Sequence, residues 1–131
     1  MSIYIPKNHQ QCAVCCQPFF NDHSAIHFEL TADGGVLGQI VPTKKVQGYQ
    51  GVMQGGVIAT LHDAAMTHCL FARDVCAMTA RLDVRYLKPI PLNSVIQVQA
   101  HCFMEKRGMY LMQSRILIGE DCYSSAEAKF M

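Results

Sequence analysis

From Gly55 to Ala72 the chain reads GGVIATLHDAAMTHCLFA, apolar on nearly every side of a helix yet carrying an aspartate, Asp63, in its middle. Such a helix spans roughly 27 Å at 1.5 Å per residue. A helix that is apolar almost all round must be covered almost all round. His62, Asp63 and His68 sit inside the run and are expensive in lipid, so a core helix is expected and a membrane span is not.

The remainder of the chain supplies the cover. Ile26, Phe28 and Leu30 alternate with His27, Glu29 and Thr31; ADGG (Ala32 to Gly35) turns the chain, and Val36 to Pro42 returns as a second strand. After the helix, Cys76, Met78, Ala80, Leu82, Val84 and Tyr86 alternate with Thr79, Arg81, Asp83 and Arg85, the pattern of a long half-buried strand. KPIPLNS breaks it, because two prolines remove ladder donors. Ile96, Val98, Ala100, Cys102 and Met104 mark the next strand. Met109 to Ile118 and Cys122 to Phe130 complete the set. Antiparallel strands with one long helix predict an α+β domain, a curved sheet wrapped around that helix with help from a partner subunit.

On a helical wheel Gly56, Thr60, Asp63 and Thr67 fall within about 60° of one another. His62 and His68 point elsewhere and are expected to be satisfied structural or interface residues. The stripe admits two readings. Asp63 is a solvated surface residue with Thr60 and Thr67 bonding back to the preceding turn, or a carboxylate kept in apolar surroundings because a reaction needs a base or nucleophile. The glycine pair Gly55-Gly56 opens the helix, where the first N–H groups lack internal acceptors and can stabilise an oxyanion. Gly55 and Asp63 are about 12 Å apart along one helix. One carbonyl cannot sit within about 3 Å of both. If both act together they come from two helices, as in a two-fold dimer.

The formal net charge of +1 provides no field for nucleic acid. MSIYIPKNHQQ lacks the features of a signal peptide. Seven cysteines, odd in number and mostly in apolar runs, are read as reduced thiols of a cytoplasmic protein, with Cys69 in the core. CAVCC has the Cys-x-x-Cys spacing of a zinc knuckle at Cys12, Cys15 and Cys16, with His9, His23 and His27 nearby in sequence. One such pair is a weak signal, so bound zinc and plain thiols both stand as readings and no metal ligand set is assigned. The chain is expected to be a single domain over residues 1–131 with a cysteine-rich front at about 1–24.

VQGYQGVMQGGVIATLHDAAM followed by TARLDVRYLKPIPLNS resembles the hotdog-fold acyl-CoA thioesterases, in the branch of the phenylacetate-pathway and 4-hydroxybenzoyl-CoA-type enzymes. The resemblance rests on a glycine pair opening the helix, an acidic residue seven positions after the second glycine, and a Tyr-x-x-Pro-x-Pro turn at Tyr86 to Pro91. It implies a hotdog fold and hydrolysis of an acyl-CoA thioester without cofactor. It further implies Asp63 as general base or nucleophile, Gly55 as the amide polarising the carbonyl, and Thr67 beside the attacking water. It implies a homodimer, or a dimer of dimers, with the site across the interface. The family's histidine before the glycine pair is Gln54 here, and its asparagine eight residues before the second glycine is Gly48. Gln54, Gly56, Thr60, Gln47 and Gln50 are the substrate-binding candidates, the glutamines standing in for the missing groups. Lys44, Lys45, Arg73, Arg81, Arg85 and Lys88 are candidates for the coenzyme A phosphates. An acyl-CoA-binding protein without efficient turnover is the alternative.

Overall fold

Alternation along the chain produces strands wherever the helix can bury one of their faces. The computed structural model describes residues 3–131, which form β1 (His27–Leu30), β2 (Val36–Ile40), α1 (Gly55–Phe71), β3 (Thr79–Tyr86), β4 (Ile96–Lys106), β5 (Met109–Ile118) and β6 (Asp121–Phe130). The strands make one sheet in the order β1-β2-β4-β5-β6-β3, antiparallel throughout. The helix α1 packs on β2, β3, β4, β5 and β6. This is the sheet-on-helix architecture expected from the hotdog resemblance.

The core is the meeting of two periodicities. Phe28, Val36, Ile96, Val98, Met112, Ile116 and Phe130 point from the sheet onto Ile58, Leu61, Ala65, Met66, Cys69 and Leu70 of the helix. Burying one such aliphatic side chain contributes roughly 1.5–3 kcal/mol. The front segment belongs to the same core through Cys15 and Phe20, and is not an appendage. All seven cysteines are free thiols.

His62 is fully buried, as expected, and satisfied at both ring nitrogens: Nδ1 lies 2.5 Å from Ser114 Oγ and Nε2 lies 2.8 Å from Ser124 Oγ. Ser124 donates its own proton to the Arg85 carbonyl at 2.9 Å. It therefore accepts from Nε2–H, and Ser114 donates to Nδ1. This one proton arrangement satisfies the whole chain of bonds and keeps the ring neutral; burial lowers its pKa to about 4.

The strand faces depart from simple alternation in one place, and the expected half-burial of the strand after the helix needs correction. Met104 is exposed because the ladder slips between Cys102 and Met104, a bulge that moves the strand end off the core. The strand β3 is mostly exposed, with Met78 just before it at 83 %. It lies at the sheet edge, paired only with β6, and only Leu82 and Val84 pack inward.

Candidate active site

The helix begins where Gln54 stops being helical. Its backbone is extended (φ −67°, ψ 136°), and its Oε1 accepts the Val57 N–H at 2.9 Å. That capping bond satisfies one of the helix's first donors. The Gly55 N–H, also in the first turn, has no acceptor among the described residues. The Gly55 carbonyl accepts from Tyr86 Oη at 2.8 Å, tying the helix start to the end of β3.

Gly48 and Gln54 are in contact. A Cβ at position 48 would stand 2.7 Å from Gln54 Cα, and one at position 56 would stand 2.9 Å from Gln54 Oε1. The two departures from the family pattern are thus neighbours, and glycine at 48 leaves room for the Gln54 backbone. The Gln47 side chain holds the same loop by accepting the Gly51 N–H at 3.0 Å. Lys44, Gln47, Gln50, Gly51, Leu92 and Asn93 line an open depression of about 690 Å³ beside it.

Asp63 lies mid-helix and half-buried, not enclosed. Gly56 is exposed, and Thr60 and Thr67 are half-buried, so the stripe forms the open face of α1. Both threonine hydroxyls bond back to the helix, Thr60 to the Gly56 carbonyl at 2.9 Å and Thr67 to the Asp63 carbonyl at 2.8 Å. Their protons are committed, while their oxygen lone pairs can still accept. The Asp63 carboxylate receives a further bond, from Thr79 Oγ1 at 2.5 Å. Thr79 was not singled out in the sequence; its only signal there is a hydroxyl at the start of an alternating run. Next to it lies a cavity of about 340 Å³ lined by His9, Thr67, Phe71, Ala77, Met78 and Thr79, among others.

Gly55 and Asp63 both belong to α1, so a single chain keeps them about 12 Å apart. The glutamine-lined depression goes with the helix start, and the Thr79 cavity with Asp63.

Of the basic candidates, Lys44 borders the depression. Lys45 donates to the Pro18 carbonyl, Arg73 pairs with Glu105 at 3.5 Å, Arg81 with Asp83 at 3.0 Å, and Lys88 lies over the Tyr123 ring. Arg85 lines a surface depression with Ser125 and Glu127.

The second histidine departs from expectation. His68, in the last helical turn, is buried, but its Nε2 has no partner among the described residues. Its neighbours are Phe28, Phe71 and His9. Cys12 and Cys15 do not pair with His23 or His27; it is His9 and His68 that converge on Cys15.

The family model of the thioesterase superfamily matches residues 50–116. Acyl-coenzyme A thioesterase THEM4 of Mus musculus is 46 % identical over 55 residues, which are 42 % of this chain and 24 % of that protein. The matched part is thus about a quarter of that relative's length. The crystal structure of a thioesterase superfamily protein superposes with a TM-score of 0.78 at 26 % identity, over 82 % of this chain and 56 % of the other. A hypothetical thioesterase of Streptococcus pneumoniae TIGR4, solved with coenzyme A, gives a TM-score of 0.77 at 21 % identity, over 83 % and 89 % of the two chains.

Proposed function

We propose that this chain, which belongs to the thioesterase superfamily, hydrolyses an acyl-CoA thioester to the free acid and coenzyme A, with Asp63 as the general base or nucleophile. The observation that carries the reading is the environment of Asp63. It is the one carboxylate on the open stripe of α1, held by Thr79 at 2.5 Å beside a cavity of about 340 Å³. A fixed carboxylate beside an open cavity fits a base that takes a proton from water, or a nucleophile that attacks the carbonyl directly.

The other half of the site is the helix start. The Gly55 N–H has no acceptor among the described residues and sits at the positive end of the helix dipole, suited to a developing oxyanion. Gly56 leaves room for the Gln54 cap, since a Cβ there would stand 2.9 Å from Gln54 Oε1. Thr67, its proton committed to the Asp63 carbonyl, accepts from the attacking water; Thr60 belongs to the same wall. Gln54 fixes the helix start, and Gln47, Gln50 and Lys44 line the approach for the coenzyme A portion.

Asp63 and Gly55 act at one carbonyl only if they come from two subunits. A homodimer with antiparallel central helices achieves this, and the exposed edge β3 beside Asp63 supports such a contact. The whole chain is read as one hotdog unit; the first two residues of that span, like the start of the cysteine-rich front, lie outside the described ones. The free thiols support a reducing, cytoplasmic setting. No helix of the described residues is long and apolar enough to cross a membrane.

One observation favours a second reading, a protein that binds acyl-CoA with little turnover. Gln54 stands where the family has histidine, and its carbonyl oxygen is engaged as a helix cap. Release of coenzyme A thiol, followed over aromatic and aliphatic acyl-CoAs, separates the two. Hydrolysis that falls at least about a hundredfold in Asp63→Asn supports the hydrolase. Saturable acyl-CoA binding without hydrolysis in the wild type supports the binder.

A further inference from the structure

We propose that His9, Cys15 and His68 form a binding site for a divalent metal of the zinc class, pinning the cysteine-rich front onto the end of the central helix. The three side chains come from separate parts of the chain: a short helical turn (Lys7–His9), the cysteine-rich loop, and the last turn of α1. Each presents one ligand atom, and the three atoms lie within 4.8 Å of one another. Two buried thiol-or-imidazole groups and a half-buried one meeting this way is a donor set that zinc takes.

The unmet bonding of these groups points the same way. His9 Nε2 and His68 Nε2 are both buried without a hydrogen-bond partner among the described residues. His68 is 3 % exposed and Cys15 4 %. An unpaired buried polar atom is destabilising, and His62 on the same helix shows that this fold can satisfy a buried histidine with two serines. A metal ion satisfies the His9 and His68 nitrogens together. Tetrahedral zinc, with bonds of about 2.0 Å to nitrogen and 2.3 Å to sulfur, places its donors roughly 3.4–3.6 Å apart. Side-chain movements of about an ångström close the observed triad to that size.

The surroundings suit a structural ion. Phe28 lies 4.5 Å from the His68 ring and Phe71 4.9 Å from the His9 ring, centroid to centroid, and they orient the ligands within an apolar shell. The Cys15 thiol loses its one proton as the sulfur–metal bond forms, and nothing is oxidised or reduced. Cys12, whose Sγ accepts the Cys15 N–H at 3.4 Å, stands next to the triad. The proposal does not depend on the hydrolase reading. It adds a consequence, because His9 also walls the cavity beside Thr79, so the ion would hold that wall in place.

The test is titration of the metal-free chain of residues 1–131 with Co²⁺, followed by absorption. The expected result is saturation at about one ion per chain, with a sulfur-to-cobalt charge-transfer band in the near ultraviolet and displacement by Zn²⁺. Cys15→Ser should abolish the charge-transfer band. His9→Gln, a change on a half-exposed turn, should weaken binding by at least roughly tenfold. Circular dichroism checks the fold of each variant; if Cys15→Ser does not fold, the wild-type band and the His9→Gln affinity decide. Absence of saturable binding in the wild type overturns the proposal, and so does binding that His9→Gln leaves unchanged.

Discussion

The Thr79 hydroxyl donates to Asp63 Oδ1 across 2.5 Å, joining the first residue of the edge strand β3 to the middle of the central helix. A hydrogen bond to a charged group contributes about 1.5–3 kcal/mol. Part of that holds the carboxylate in one orientation, which a base or nucleophile requires. Thr79→Val should therefore lower kcat/KM by roughly tenfold or more, while Thr79→Ser should keep most of it. Wild-type turnover in the valine variant would show that the bond has no part in hydrolysis.

Gln54 and Gly48 fix the helix start together. Removing the capping oxygen in Gln54→Ala should cost about 1 kcal/mol. Gly48→Ala should cost about 1–3 kcal/mol, because the new Cβ meets the Gln54 backbone at 2.7 Å and not a movable side-chain end. Thermal or urea unfolding checks both. A Gly48→Ala protein as stable as wild type would mean that the loop shifts freely.

His62 makes stability pH-dependent. Burial lowers its pKa to about 4, below the roughly 6.5 of an unfolded histidine. Between those values the unfolded chain binds more protons, so stability rises with pH. The contribution is fully present above about pH 6.5 and is lost as pH falls toward 4. At pH 5 the loss should be about 2 kcal/mol for this ring. Unfolding measured at pH 7 and pH 5 tests this, and equal stabilities would mean that the ring is not held neutral by burial.

The central helix was legible because Gly55-Gly56 marks its start and its aliphatic run is unbroken; it ends at Phe71, one residue before the expected Ala72. The sheet strands were legible from alternation wherever the helix covers them. Alternation could not show the slip between Cys102 and Met104, since a bulge changes pairing without changing the pattern. Nor could it show that β3 lies at an edge, where apolar residues such as Met78 stay open. Asp63 and Gly55 stood out as local features of one helix. Thr79 reaches Asp63 over sixteen residues, and His68 meets Cys15 only through the packing of the front segment, so neither pairing leaves a trace in spacing. The cysteine spacing suggested Cys12 and Cys15 as the pair, whereas the fold brings histidines to Cys15.

A mixed dimer tests most directly whether one site draws Asp63 and Gly55 from two chains. Gly55→Pro deletes the candidate oxyanion donor. The position accepts proline, because it is the first of the helix and Gln54 before it is already extended. Each of Gly55→Pro and Asp63→Ala should be folded, dimeric and inactive alone. When subunits are exchanged, one site of each heterodimer carries both lesions and the other carries neither. The expected result is thioester hydrolysis recovered to about half the wild-type rate per heterodimer. Verified exchange with no recovery would contradict a site shared between subunits.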